Sequence, residues 1–300
     1  MFVKIIRALV AVLMVISPAL PQKLSLPAIP SGQNLDLDSR FELVWEDEFE
    51  GDKLDTTKWF YPWWETERKG GFWHEDMVSV KDGNLVITTA YYDEPLENYY
   101  YDKWHEQINF DDYREGWYTG CIETRGKFEF CYGYYECRCK FQKYPELMWS
   151  AFWTQSPTIG ARFEPEWCGI ESDIMECFKQ GTATTGNIMG GYGKQFRDEG
   201  RVKYDLEETE DGWHYFGMDW QPEGYVFYCD GKEVSRCNKN VSHVPQFILL
   251  TTEIQGYRSS AKKRVLLNGE STEDVPYEIK GEFVDDAFIV DFVRVYDKIK

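Results

Sequence analysis

The chain has 300 residues, with 52 acidic side chains against 33 basic ones, a formal net charge of −19 and 17% aromatic residues. Long-range repulsion at that charge disfavours nucleic acid, anionic membrane surfaces and strongly sulfated polymers as partners, and leaves neutral or cationic ligands. With 43% hydrophobic residues the chain can bury one large β domain or two ordinary ones.

The first residues read as an export signal. Lys4 and Arg7 form a basic start, 8–16 is an unbroken apolar run, and Ser17 and Ala19 are small residues at the −3 and −1 positions of a cut after Ala19. The run is too short to span a bilayer, and no later segment approaches the roughly 18 to 20 apolar residues that a membrane helix needs. We therefore expect a signal peptide over 1–19 and a secreted, extracellular or periplasmic protein with no membrane attachment after cleavage. Cleavage removes Lys4 and Arg7 and no acid, which takes the charge from −19 to −21. Residues 20–40 carry prolines without periodic pattern and read as a linker, so folded sequence is expected from Phe41 to the end, over 41–300.

From Phe41 onward, period-two segments recur between turn signals. Val78-Ser79-Val80, then Asp82-Gly83, then 84–89 is a hairpin signature, and 225–229, Asp230-Gly231 and 233–236 is another. Further β-rich runs cover 247–252 and 288–296. Short strands without helical crossovers predict an all-β fold, an antiparallel sandwich or barrel.

The eight cysteines include no C-x-x-C pair, and no histidine pair stands beside them at ligand spacing, which speaks against a zinc site. Most are expected to be free, buried thiols. His74 and His214 are read as hydrogen-bonding residues in loops. Asn240-Val241-Ser242 is a glycosylation sequon of consequence only in a host that glycosylates.

The chemistry concentrates in Glu171-Ser172-Asp173-Ile174-Met175-Glu176. On a helix the three acids fall near 0°, about 200° and about 140°, so Glu171 faces away from the others. On a strand Glu171 and Asp173 share one face, and a single-residue bulge before Glu176 turns the third acid onto it. Carboxylates crowded in this way repel one another, so such a cluster is suited to holding protons or a cation.

Trp45-Glu46-Asp47-Glu48-Phe49, 82–87, 126–128 with 132–138, Ser150-Ala151-Phe152-Trp153, the acid motif and 291–296 follow one another in the order seen in glycoside hydrolase family 16, and the chain resembles that family from about 41 to 298. The resemblance implies a jelly-roll sandwich with a concave polysaccharide cleft. It also implies retaining hydrolysis, which needs a nucleophile and a proton donor about 5 Å apart. By motif position Glu171 is the nucleophile, Glu176 the acid and base, and Asp173 the residue between them that keeps the donor's proton on.

Trp63, Trp64, Trp149, Trp153, Trp167 and Tyr192 are candidate sugar platforms, since flat rings with polar tips suit the apolar faces of sugars. Ser172, at a position where relatives commonly have an aliphatic residue, is expected on the buried face. Cys121 and Met189 also depart from the residues that relatives carry and are expected to touch specificity. The resemblance further suggests a structural calcium held by Glu48, the Gly51 carbonyl and Asp291, and no cofactor for catalysis.

The expected activity is endo-hydrolysis of a β-linked polysaccharide by a monomer, with β-1,3- or β-1,3/1,4-glucan foremost. Galactan cleavage of the agarase, porphyranase or carrageenase type is the enzymatic alternative. A non-catalytic glucan-binding protein on the same fold is the other reading, and the retained glutamates speak against it.

Overall fold

A computed structural model of the chain describes residues 37, 39–62, 67–68, 71–97, 115–142, 148–254, 265–267, 270–272 and 287–299. Two antiparallel sheets dominate. The larger has eight strands and runs Lys232–Cys237, Gly224–Cys229, His214–Gln221, Gly133–Lys140, Ala287–Lys298, Asn84–Thr88, Val78–Lys81, with Phe41–Asp47 also paired to Ala287–Lys298. The six-stranded sheet runs Arg197–Asp205, Thr182–Met189, Glu171–Lys179, Met148–Gln155, Phe247–Ile254, Cys121–Glu123. Their inner faces meet in one core, with Leu85, Ile87, Phe216 and Val293 from the larger sheet against Phe152, Ile174, Ile248 and Leu250 from the smaller. This is the sandwich that the alternating sequence predicts. Asn84–Thr88, buried only at Leu85 and Ile87, shows the alternation residue by residue.

Both predicted hairpins form. Asp82 and Gly83 have φ of 54° and 73°, and Asp230 and Gly231 have φ of 48° and 77°. Two successive positive φ values define the turn whose twist matches paired strands, and Asp-Gly tolerates it. Among the described residues the helical segments are one turn, Pro165–Cys168, and the 3-10 turn Glu75–Met77.

A smaller four-stranded sheet, ordered Glu67–Arg68, Gly71–Trp73, Gly116–Thr119, Ala90–Tyr92, carries Arg68 to the rim of the six-stranded sheet. The folded body extends further toward the start of the chain than the sequence suggests. Leu37, inside the expected linker, is 1% exposed and packs with Phe41, Leu43, Tyr134 and Tyr296. All eight cysteines are free, seven of them buried and Cys131 partly so. Trp63 and Trp64 lie outside the described residues, as do the export segment and most of the linker.

Gly169 controls the entry to the acid-bearing strand. Its φ of 79° and ψ of −175° belong to glycine alone, and a Cβ there would lie 1.9 Å from the Ser156 hydroxyl oxygen. That hydroxyl accepts from the Ile170 amide at 3.2 Å, so it cannot move without losing a bond. We expect Gly169→Ala to cost at least about 2 kcal/mol of stability, measured by denaturant unfolding.

Candidate active site

The strand Glu171–Lys179 is bulged where the sequence requires it. Asp173 pairs with Gly186 and Glu176 with Thr184, three residues on one strand against two on the other. Against Met148–Gln155 the register likewise slips between Phe152 and Trp153. Ile174 and Met175, consecutive in sequence, both point into the core. A regular strand would send one of them outward. The slip leaves Glu171, Asp173 and Glu176 together on the opposite face.

That face is the floor of a cleft of about 530 Å³. Trp149, Trp153, Ile188, Tyr192, Phe196 and Thr251 contribute walls, and Arg68, Arg201 and Glu253 contribute charge. Glu171 is 6% exposed, Asp173 4% and Glu176 3%, so water reaches them only through the cleft.

Each glutamate is held differently. Glu171 Oε2 accepts from the Tyr192 hydroxyl and, at 3.2 Å, from Gln155 Nε2, which also donates to the Tyr192 oxygen. Gln155 stands opposite Glu171 on the neighbouring strand, so the register delivers it. Glu176 Oε1 accepts from Trp149 Nε1 at 3.0 Å, while Oε2 accepts from Thr184 Oγ1 at 3.1 Å and from the Arg201 guanidinium at 2.6 Å. Arg68 sits 4.5 Å from the Trp73 ring centre and donates to Glu253 at 2.6 Å.

Burial raises both glutamates. It pushes Glu171 up to about 7, against the Tyr192 and Gln155 hydrogen bonds that favour its charged form, and the charge of Glu176 adds to the rise. Glu176 is also raised by burial, with Arg201 the main opposing influence, followed by the Thr184 and Trp149 donors. Burial therefore favours the protonated form at both carboxyls.

A sequence profile described as "Beta-porphyranase A-D, GH16 domain" matches residues 44–298. The chain belongs to glycoside hydrolase family 16. Among curated proteins it is 28% identical over 211 residues to beta-porphyranase B of Zobellia galactanivorans, covering 63% of this chain and 65% of that one. To the xylanase/beta-glucanase of Ruminococcus flavefaciens it is 25% identical over 180 residues, 60% of this chain and 20% of the other. The chain thus spans less than half the length of that relative and of the beta-glucanases of Acetivibrio thermocellus, 45% of each.

Solved family 16 structures share the jelly-roll fold. Porphyranase B from Zobellia galactanivorans aligns with a TM-score of 0.64 at 21% identity, over 91% of this chain and 99% of that one. The catalytic domain of an endo-1,3-beta-glucanase (laminarinase) from Thermotoga petrophila aligns at 0.62 with 23% identity, over 87% and 99%.

Of the platform residues expected for this family 16 chain, Trp149, Trp153 and Tyr192 line the cleft. Trp149 and Tyr192 also hydrogen-bond the glutamates directly. Trp167 is 75% exposed on the one-turn helix and outside the cleft lining. Cys121 is buried beneath the aromatic floor, packed with Trp73 and Trp153. Met189 faces the core rather than the cleft. It is out of phase with Thr184, Gly186 and Ile188, which lie alongside the acids, so any bearing it has on specificity acts through packing and not through contact in the cleft. Ser172 is fully buried as expected, and its hydroxyl has no partner, like both amide atoms of Asn187, its neighbour on the paired strand.

The expected calcium donors do not fit a cation. Both oxygens of Glu48 are taken by Arg294, at 2.7 and 2.9 Å, and Asp291 binds Arg138 at 2.8 Å. A guanidinium occupies the electrostatic place that a cation would fill at Glu48. His74 reads as expected, accepting from the Asp76 amide and contacting the Glu97 carbonyl at 2.8 Å.

Sequence reasoning missed Gln155 and Thr184, which hold the glutamates, and, among the cleft lining, Arg68, Arg201, Glu253, Phe196, Ile188 and Thr251. Thr184 and Gln155 follow from strand register once the bulge is placed. The arginines come from remote strands and carry no local signal.

Proposed function

We propose that the chain is an exported, endo-acting retaining hydrolase of a β-linked galactan of the kind that porphyranases cleave. The observation that carries the hydrolase reading is the convergence of Glu171, Asp173 and Glu176 through the strand bulge onto the floor of an open cleft. Glu171, aligned by Tyr192 and Gln155, attacks the anomeric carbon as the carboxylate. Glu176 gives its proton to the leaving oxygen, and the same group then takes a proton from water as the glycosyl-enzyme is hydrolysed. Asp173, an acid between the two, raises the cost of a second charge at Glu176.

The matched family profile and the porphyranase relatives favour galactan over glucan. Charge does not decide between them, since Arg68 and Arg201 enter the cleft already paired with Glu253 and Glu176. Glucan remains the second reading, favoured by the beta-glucanases among the curated relatives. Incubation with porphyran, agarose, laminarin and mixed-linkage glucan separates the two. A ladder of oligosaccharides from porphyran or agarose alone supports the first reading, and one from the glucans alone supports the second. No reducing ends from any of the four would overturn the hydrolase reading.

Tyr192 and Phe196, 61% and 44% exposed, line the cleft, while Phe163 and Trp167, 58% and 75% exposed, stand on the segment that leads into the acid-bearing strand. We expect Trp167→Ala to raise the apparent KM for long polysaccharide by about threefold to tenfold, in line with a lost ring contact. The effect on a short oligosaccharide should be small, and the melting temperature should not change because the ring buries little.

A further inference from the structure

On the larger sheet, outside the cleft, three groups of different chemistry come together. His214 opens the strand His214–Gln221, and Cys229 and Asp230 stand where the neighbouring strand turns into the Asp-Gly hairpin. His214 Nδ1 lies 2.8 Å from Asp230 Oδ2, and Cys229 Sγ lies 3.6 Å from the same oxygen. All three ligand atoms fall within 4.8 Å of one another. His214 and Cys229 are each 7% exposed, whereas the Asp230 side chain keeps 27% of its surface and provides a way in from solvent.

A second observation points to the same place. The Tyr204 hydroxyl, from the facing sheet, is buried with no hydrogen-bond partner. The ring is partly buried against the core, and the groups that act on it electrostatically are Cys229, Cys139, Asp230 and Cys177. A buried hydroxyl left without a partner near Cys229 and Asp230 is unfavourable unless something else joins the cluster.

We propose that His214, Cys229 and Asp230 form a binding site for a divalent transition-metal ion, zinc foremost. Imidazole and thiolate reject calcium and magnesium, and the mixed nitrogen, sulfur and oxygen set suits zinc or cobalt(II). The spacing is close to that of a tetrahedral ion. Bonds of the usual lengths set nitrogen and oxygen about 3.4 Å apart, and sulfur and oxygen about 3.6 Å apart. The Cys229 to Asp230 separation already has that value, and the His214 to Asp230 pair must open by about half an ångström.

The charge balances. The trio would hold zinc as a carboxylate, a thiolate and a neutral imidazole, two negative charges against the two positive charges of the ion. Binding releases the Cys229 proton to solvent and moves the imidazole proton from Nδ1 to Nε2, so the metal-bound trio is neutral. The fourth position falls to solvent entering past Asp230 or to the Tyr204 hydroxyl. A sequence scan passes over this set because its members are 15 and 16 residues apart on two strands, without motif spacing.

The test uses the purified, untagged protein, stripped with chelator, and then zinc or cobalt(II) alone. We expect one ion per chain and a melting temperature that rises with zinc. The cobalt(II) form should show a thiolate charge-transfer band in the near ultraviolet. Cys229→Ser should abolish the band, and both Cys229→Ser and His214→Gln should weaken zinc binding by at least about tenfold. Absence of stoichiometric binding in the wild type would overturn the proposal, whether or not the variants fold. So would a cobalt band that survives Cys229→Ser, or zinc affinity unchanged in both variants, either of which would leave the trio as a hydrogen-bonded cap on the hairpin.

Discussion

Glu176→Gln is expected to lower kcat on polysaccharide by about 10²- to 10⁴-fold, the usual worth of a positioned general acid. The amide keeps the shape of the carboxyl, and its one oxygen can still accept from Thr184 and Arg201 while only the Trp149 bond to the other oxygen is lost, so the fold should persist. The loss must depend on the leaving group. A sugar hydroxyl leaves poorly without a proton, whereas an aryl leaving group such as nitrophenolate departs unaided. The glycosylation step of the variant on an activated aryl glycoside should therefore approach the wild-type rate, seen as a burst of released phenol. An equal loss on both substrates would remove Glu176 from the acid role.

Arg201 offers an independent reading of the same group. Its guanidinium favours the charged form of Glu176, so Arg201→Met should raise the acid's pKa and move the alkaline limb of kcat/KM upward. The shift is modest because the Arg201 side chain is 35% exposed and water screens it. Any accompanying rise in KM would report a contact between Arg201 and substrate, separately from the position of the limb.

Glu171→Gln is expected to lower turnover by more than about 10³-fold, or roughly 4 kcal/mol of barrier. No activated leaving group should rescue it, because the covalent intermediate cannot form. The same change should stabilise the protein at neutral and alkaline pH. Burial holds Glu171 near 7 in the folded state against an ordinary value of 4.5, so folding takes up a proton between those values. The stability linked to that proton is complete below about pH 4.5 and is lost as the pH rises through 7. The neutral amide does not lose it. The difference between variant and wild type should open across that window and level off above it, at up to roughly 3 kcal/mol. A difference in melting temperature between variant and wild type that is the same at pH 4 and pH 8 would show that Glu171 is not desolvated in the folded protein.

The parts of the site that local chemistry determines were legible in the sequence. Asp-Gly between alternating strands specifies the two hairpins, and the E-x-D-x-x-E spacing is compatible with one shared face only if the strand is bulged. Side-chain parity, a local property, would also have placed Met189 in the core. What stayed hidden depends on distant chain. Arg68 and Arg201 reach the cleft from strands at its two sides, and the polar surface of Arg197–Asp205 looks like any solvated edge. The calcium expectation failed within its own motif, because Arg294 stands three residues after Asp291 and occupies the Glu48 carboxylate. No feature of the sequence shows which of the two glutamates an arginine will neutralise.

The bulge has a further consequence when the acids are counted along the partner strand. Glu171 stands opposite Ile188 and Glu176 opposite Thr184, a span of four positions, the same as for three acids in strict alternation. The additional residue therefore leaves the front of the strand unchanged and alters only its back, where two adjacent side chains enter the core in place of one. The spacing of the reacting groups and the packing beneath them can thus vary independently, and a one-residue deletion between Asp173 and Glu176 would be felt as lost core volume before it was felt as lost alignment.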